Sequence, residues 1–311
     1  MRIRIGSRDS QLAIKQTEII MEGIQKNHPE LELELITMKT TGDKILDRRL
    51  DQIGGKGLFV KELDQALLDG KIDLSVHSLK DLPMEIGEEI PLVGFTKRED
   101  PRDCLLYKQC YHEKVQEFCD SAFYTIGSSS RRRIVQMKKL YPNARFESIR
   151  GNVQTRLRKL EEQEFDATAL AVAGLKRLGL TQRIDRIFSV EEVIPAAGQG
   201  IIAIQGRKGM DYSFLDGVCD WDSELAAAAE RAFTREVNGG CSAPIAAYAY
   251  REENQFRIRG MYYSDLLQKF EVGEERMLLS GEKEDQLYKV EKMGRRLASW
   301  LKESVEGKKK G

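Results

Sequence analysis

The chain has 311 residues, more than one ordinary hydrophobic core serves, so roughly two or three domains are expected. At 41% hydrophobic and 32% charged residues it sits in the globular range and outside the disordered one. Its 50 Lys and Arg balance 50 Asp and Glu, which excludes the broad phosphate neutralisation of non-specific nucleic-acid binding and makes any anion site local.

Apolar runs such as ALAVAG at 169–174 fall far short of the ~20 residues that span a bilayer. The charged start MRIRIGSRDS has no apolar h-region, so neither a membrane span nor a signal peptide is expected. Cys104, Cys110, Cys119, Cys219 and Cys241 form an odd set without a CxxC pair, and only His28, His77 and His112 accompany them. Free thiols in a reducing cytoplasm, with no metal, is the economical reading.

In chain order, IRI at 3–5 reads as a strand, and residues 8–26 as a helix with Leu12, Ile19, Ile20 and Ile24 on one face. LELELITM at 31–38 alternates as a strand, and GLFVKELDQALLDG at 57–70 is an amphipathic helix stopped by Gly70. DLSVHS at 73–78 and PLVGF at 91–95 are further strands, giving a mostly parallel sheet with sites at strand C-terminal ends. A second α/β unit follows: FYTIG at 123–127, RFESIRG at 145–151 and ATALAV at 167–172 alternate with helices. The isolated turn and strand IPAAGQGIIAIQG at 194–206 is assigned back to the first sheet, with a two-crossing hinge near 98–102 and 195–199. After Trp221 come a helix at 222–237, antiparallel strands at 245–250, 255–260 and 268–272, and a helix at 286–303. The expected fold is thus α/β, two lobes plus a small α+β C-terminal domain, divided as 1–98 with 196–216, 102–194, and 220–311.

Residues 128–160 hold ten cations and a single acid, Glu147. Arg132 and Arg133 fall where a strand gives way to a helix, behind three serines, and Arg150 and Arg156 bracket a second such junction in RGNVQTR. Helix starts attract anions through unpaired N–H groups and the dipole, and arginine adds bidentate carboxylate binding. Lys138, Lys139, Arg158 and Lys159 read instead as a solvated face. The first unit offers Arg8 and Ser10 at its own strand–helix junction and Lys56 in GGKGLF, which lacks the spacing of a phosphate-binding P-loop. Two units presenting cations from like junctions make a two-lobed anion trap.

HSLKDLP at 77–83 places His77, Lys80 and Asp81 at a strand end. Asp81 reads either as a carboxylate that stabilises a cation formed in a reaction or as a salt-bridge partner of Lys80. His77 reads as a packed strand residue. Cys241, in NGGCSAPIA, is either a covalent attachment point or an incidental thiol exposed by a glycine turn.

Ten stretches in order (SRDSQLA, TGDKIL, GGKGLFVKELDQALL, VHSLKDLP, KREDPRD, IGSSSRRR, RGNVQTRL, LAVAGLKRLGL, PAAGQG and GGCSAPI) closely resemble the porphobilinogen deaminase (hydroxymethylbilane synthase) family from residue 1 to about 245. The resemblance implies two periplasmic-binding-protein-like lobes with mixed, mostly parallel sheets and a small third domain. It implies a dipyrromethane cofactor attached through a thioether to Cys241, and Asp81 as the catalytic carboxylate. Cofactor contacts are implied for Lys80, Asp81, Ser129, Arg132, Arg133, Arg150 and Gly151, and substrate contacts for Arg8, Ser10, Lys56, Arg156, Arg177 and Gln199. Gln52 departs from members that carry a lysine before GGKG.

The implied reaction joins four porphobilinogens head to tail with loss of ammonia and releases hydroxymethylbilane, in a cytoplasmic, monomeric enzyme of tetrapyrrole (porphyrin and heme) biosynthesis. Porphobilinogen is the expected small-molecule partner, with hand-over of product to the next pathway enzyme, and neither nucleic acid nor membrane. A two-lobed organic-anion binding module without catalysis is the competing reading. The cysteine-bearing third domain and Asp81 weigh against it.

Overall fold

The computed structural model describes residues 2–40, 60–110, 124–238 and 243–307. A first sheet contains β1 (Arg2–Arg8), β2 (Glu32–Met38), β3 (Leu74–Ser78), β4 (Leu92–Phe95) and β10 (Ile202–Gly206), in the order β2-β1-β3-β10-β4. β1 runs parallel to β2 and β3, while β10 runs antiparallel to both β3 and β4. Alternation in RIRIGSR sends Ile3 and Ile5 into the core, where Ile20 and Ile24 of α1 (Gln11–Asn27) meet them. Full burial of such side chains stabilises by about 1.5–3 kcal/mol each. The buried face of α1 is Ala13, Gln16, Thr17, Ile20 and Ile24, and that of α2 (Lys61–Leu68) is Leu63, Ala66 and Leu67. Leu12, expected on that face, is half-buried and lies against Gly174 of the second unit.

The second sheet repeats the plan with β5 (Asp103–Tyr107), β6 (Thr125–Gly127), β7 (Arg145–Glu147), β8 (Ala167–Ala171) and β9 (Arg186–Ile187), in the order β7-β6-β8-β5-β9. β6, β7 and β8 are parallel, and β5 is antiparallel to β8 and β9. In each sheet the antiparallel strand is the one next to a chain crossing: β5 follows the outward crossing and β10 the return. Each sheet is therefore mixed, with a parallel half and an antiparallel half. Segment 202–206 lies in the first sheet, as expected, because its fully buried residues fill the gap between β3 and β4.

The remaining described chain is α6 (Trp221–Glu236), then the antiparallel β11 (Ala246–Glu252), β12 (Gln255–Ser264) and β13 (Lys269–Leu278), and α7 (Lys283–Glu306). α6 and α7 cover one face of this sheet, burying Leu225, Phe233, Phe256, Ile258, Met293 and Leu297 in one core. The other face receives Ile194 of the return crossing against Ala246 and Met261.

One buried carboxylate joins these parts. Glu230 of α6 is fully buried and accepts two hydrogen bonds from Arg98 Nη2 at 2.8 Å, one from Gly198 N at 2.6 Å and one from Ala249 N at 2.6 Å. Arg98 lies on the outward crossing and Gly198 on the return, so both are fixed to α6 and β11. Gly198 has φ +74 and a Cβ there would stand 2.6 Å from Leu79, so only glycine fits. Removing one partner of a buried ion pair strands the other, so Arg98→Met is expected to cost about 3–5 kcal/mol of unfolding free energy, with part recovered in the Arg98→Met/Glu230→Leu double variant. Calorimetric unfolding measures both; a single variant within about 0.5 kcal/mol of the parent would contradict this role.

Candidate active site

Asp81 sits on a short elbow. Leu79–Asp81 form a 3-10 turn straight after β3, with Leu79 and Leu82 buried against Val60, Ile201 and Ala203. Leu79 N donates to Ile201 O at 3.1 Å, and Arg231 Nη2 of α6 donates to the carbonyls of Pro83 at 2.7 Å and Met84 at 2.8 Å. The elbow is thus pinned on both sides, and its two apolar anchors leave Asp81 exposed. Arg8, Gln16, His77, Ser78 and Asp81 line one crevice. Gln16 Nε2 donates to Ser78 Oγ at 2.8 Å across it. His77 is buried against Ser75 Oγ at 2.8 Å, and burial together with Arg8 pushes its pKa down to about 4, so it is a neutral packed residue.

Across the cleft stand the helix starts of the second unit, α3 (Arg131–Leu140) and α4 (Val153–Glu162). Gln154 Nε2 reaches Gln11 Oε1 of α1 at 2.6 Å, so the N-termini of α1 and α4 face each other. Each start is capped by its own chain: Ser10 accepts from Ala13 N, Ser130 from Arg133 N and Asn152 from Thr155 N. Ser129 Oγ donates to Ile149 O at 2.7 Å and meets Ser148 Oγ at 2.9 Å. Gly151 has φ +120, and a Cβ there would stand 2.5 Å from Thr155; its carbonyl accepts from Arg156 Nε at 2.9 Å.

Arg132 and Arg133 turn inward. Both are buried, and both bind Asp103 at the start of β5: Arg132 Nη1 donates at 2.6 Å, Arg133 Nε at 2.9 Å and Nη2 at 2.7 Å. Gln199 Nε2 donates to the same carboxylate at 3.0 Å, while its Oε1 accepts from Lys80 Nζ at 3.3 Å. Gln199 therefore touches the site through Lys80 and Asp103. Arg177, the last residue of α5 (Val172–Arg177), donates to Gly200 O at 2.6 Å on the return crossing.

Expected site residues on both units thus converge: Arg8, Ser10, Lys80 and Asp81 on one side, Ser129, Arg132, Arg133, Arg150, Gly151 and Arg156 on the other, with Gln199 and Arg177 at the crossing. Lys56 and Cys241 lie outside the described residues, as do TGDKIL, Gln52 and Cys119. Lys138, Lys139 and Arg158 are exposed as expected, Lys139 also lying over the Phe270 ring at 3.9 Å, whereas Lys159 is half-buried. Asp103, Gln16, Arg231 and Glu230 are the contributors that sequence reasoning passed over. Only Asp103 lay inside a quoted motif, KREDPRD, and there it carried no role.

The gathered cations perturb one another. Burial pushes the Lys80 pKa down to about 8, with Arg133 and Arg132 adding to the shift while Asp81 and Asp103 oppose it. Burial, then Arg133 and Arg150, push Arg156 down to about 10 against the pull of Asp81. Burial lowers Arg177 to about 10, with Glu99 opposing. Depressed cation pKa values mark a place short of negative charge, which a carboxylate ligand would supply.

The fold and this cleft define a protein built to gather an anionic, carboxylate-bearing ligand between two α/β units. Residues 3–213 match the family model "Porphobilinogen deaminase, dipyromethane cofactor binding domain", and residues 224–303 match "Porphobilinogen deaminase, C-terminal domain". The chain is 54% identical over 264 residues to the porphobilinogen deaminase of Ruminiclostridium cellulolyticum, covering 85% of this chain and 88% of that protein. It is 40% identical over 299 residues to that of Carboxydothermus hydrogenoformans, covering 96% and 92%. The chain belongs to the porphobilinogen deaminase family. Solved structures it resembles include the BenM effector binding domain with benzoate (TM-score 0.40, 14% identity, 70% of this chain and 88% of that one) and the Escherichia coli periplasmic aliphatic sulphonate binding protein SsuA (TM-score 0.40, 12% identity, 76% and 70%).

Lys80 carries its charge below its depressed pKa and loses it above. Carboxylate affinity is therefore expected to fall as pH rises through about 8. Calorimetric titration of the protein with glutarate across that range measures it, and Lys80→Gln should flatten the curve. A wild-type affinity independent of pH there would remove Lys80 from the binding site.

Proposed function

We propose that the crevice at Asp81 is where this chain performs the porphobilinogen deaminase reaction, a transferase chemistry. Four porphobilinogens condense head to tail with loss of ammonia, and hydrolysis releases hydroxymethylbilane. The observation that carries the proposal is an exposed carboxylate on a pinned elbow, faced by cations from both units. The competing reading, an anion-binding module without catalysis, is not favoured by the family match.

The donor set fits a dipyrromethane cofactor. Two pyrroles with acetate and propionate arms bring several carboxylates, and the cleft offers Lys80 from one side and Arg132, Arg133 and Arg150 from the other, with the Ser129 hydroxyl and the Gly151 backbone. When bound, the cofactor supplies a pyrrole α-carbon nucleophile. Cys241 is proposed as its covalent anchor, which keeps growing material from diffusing away.

The residues then divide the work. Arg8, Lys56, Arg156 and Arg177 are proposed to receive the acetate and propionate of porphobilinogen. Ser10, Oγ-bonded as a helix cap, shapes that end of the crevice. Asp81 Oδ accepts hydrogen bonds from pyrrole N–H groups, offsets the cation formed as ammonia leaves, and takes the proton released when the new bond forms. Because each pyrrole adds negative charge, arginines spread along a track serve successive rings better than a single pocket would.

The proposal divides the chain into 1–98 with 196–216, 102–194, and 220–311, acting as a cytoplasmic monomer. No helix among the described residues is long and apolar enough to cross a membrane. Hydroxymethylbilane would pass to the next enzyme of tetrapyrrole biosynthesis.

Intact-mass measurement of the purified protein is expected to show an added two-pyrrole mass, absent in Cys241→Ser. Asp81→Asn should keep that mass and lose about 100-fold or more in turnover, the scale of a lost acid–base group. An unmodified, active wild-type protein would remove the covalent anchor, and near-normal turnover in Asp81→Asn would remove Asp81 from its role.

A further inference from the structure

Asp103 belongs to none of the roles assigned above, yet among the described residues each donor to its carboxylate has one. Oδ2 accepts from Arg132, and Oδ1 from Arg133 twice and from Gln199, whose other end holds Lys80. We propose that Asp103 is a positioning residue for the cofactor cradle: one buried carboxylate fixes the directions of Arg132 and Arg133 and, through Gln199, the place of Lys80. The inference rests on the preceding reading that these three cations receive cofactor carboxylates.

Charge balance separates this role from an ordinary structural ion pair. A pair that only stabilises the fold matches charges, and replacing it with apolar side chains is often neutral. Here one carboxylate, wholly buried, serves two buried guanidiniums and indirectly an ammonium, so positive charge remains. Asp103 holds the cations without neutralising them. Arg132 and Arg133 are further tied to the carbonyls of Ile194 at 2.6 Å and Ala169 at 3.0 Å, which lock their direction rather than their charge.

Placement adds a second line of argument. Asp103 is the first residue of β5, just past the outward crossing, and Gln199 lies on the return crossing with Nε2 also donating to Pro101 O at 2.6 Å. The chain Lys80–Gln199–Asp103–Arg133 therefore runs from the elbow of the first unit, through both crossings, to α3 of the second. It ties the elbow to α3 across both crossings, so cradle geometry is set where the two units join. The charged groups facing Lys80 are Asp81 on its own turn, Asp103 on β5, and Arg132 and Arg133 on α3; Asp103 supports the charged form, its neighbours on α3 oppose it.

The test uses full-length Asp103→Asn and Asp103→Glu, purified as expressed. Asp103→Asn is expected to lower the fraction of protein carrying the two-pyrrole mass and, because the cradle places the cofactor ring that meets incoming porphobilinogen, to raise KM for porphobilinogen about tenfold, the scale of losses when a supporting partner is removed from a liganding group. Its alkaline KM limb should move to lower pH, because Lys80 has lost an anionic neighbour. Asp103→Glu keeps the charge and displaces the arginines by one methylene, so the alkaline limb should return while KM stays raised. Wild-type mass fraction, KM and alkaline limb in Asp103→Asn would overturn the proposal. If that variant does not fold, wild-type KM in Asp103→Glu overturns it equally. A wild-type protein lacking both the added mass and deaminase activity would sink the parent reading instead, which keeps the two failures distinct.

Discussion

A carboxylate removed from water needs close donors to stay charged, and Glu230 has four such bonds, from Arg98, Gly198 and Ala249. Those donors lie on the outward crossing, the return crossing and the first strand of the C-terminal sheet. β11 begins just after the segment that contains Cys241, so the same carboxylate ties the cysteine-bearing unit to the two crossings. α6 also supplies Arg231, which holds the loop behind Asp81. One helix thus registers the C-terminal sheet, the two crossings and the carboxylate elbow against one another.

On this frame the protein solves a charge problem. The whole chain is neutral, yet its cleft concentrates cations from two helix-start clusters, and like charges repel. Asp103 holds two of them and, through Gln199, a third. What is left is a net positive cluster whose two buried guanidiniums are held in direction by the carbonyls of Ile194 and Ala169. Such preorganisation suits a reaction that repeats on a chain gaining carboxylates at every step.

Much of this was legible in sequence. Strand–helix alternation, the return of 202–206 to the first sheet, and the cation clusters at helix starts follow from local pattern. β5 was not, because CLLY is a short apolar run whose type periodicity cannot decide, and without β5 Asp103 had no place in the fold. Arg132 and Arg133 stood out in sequence as candidate site residues, but their inward direction depends on Asp103, about thirty residues away along the chain. Leu12 was misplaced for the same reason: it lies against Gly174, which belongs to the other unit. Glu230 could not be singled out at all, since a glutamate in an alanine-rich helix reads as solvent-facing until its distant donors are known. Long-range partners, rather than local propensity, separate the two groups.

The central claim is that this cleft performs a repeated deamination ending in a linear tetrapyrrole. Simultaneous measurement of ammonia and hydroxymethylbilane released by the purified protein from porphobilinogen tests it most directly. The account predicts four ammonia molecules for each tetrapyrrole at steady state, with both products abolished in Asp81→Asn to the same degree. Binding of porphobilinogen with no release of ammonia would contradict it and leave a carboxylate-binding protein in its place.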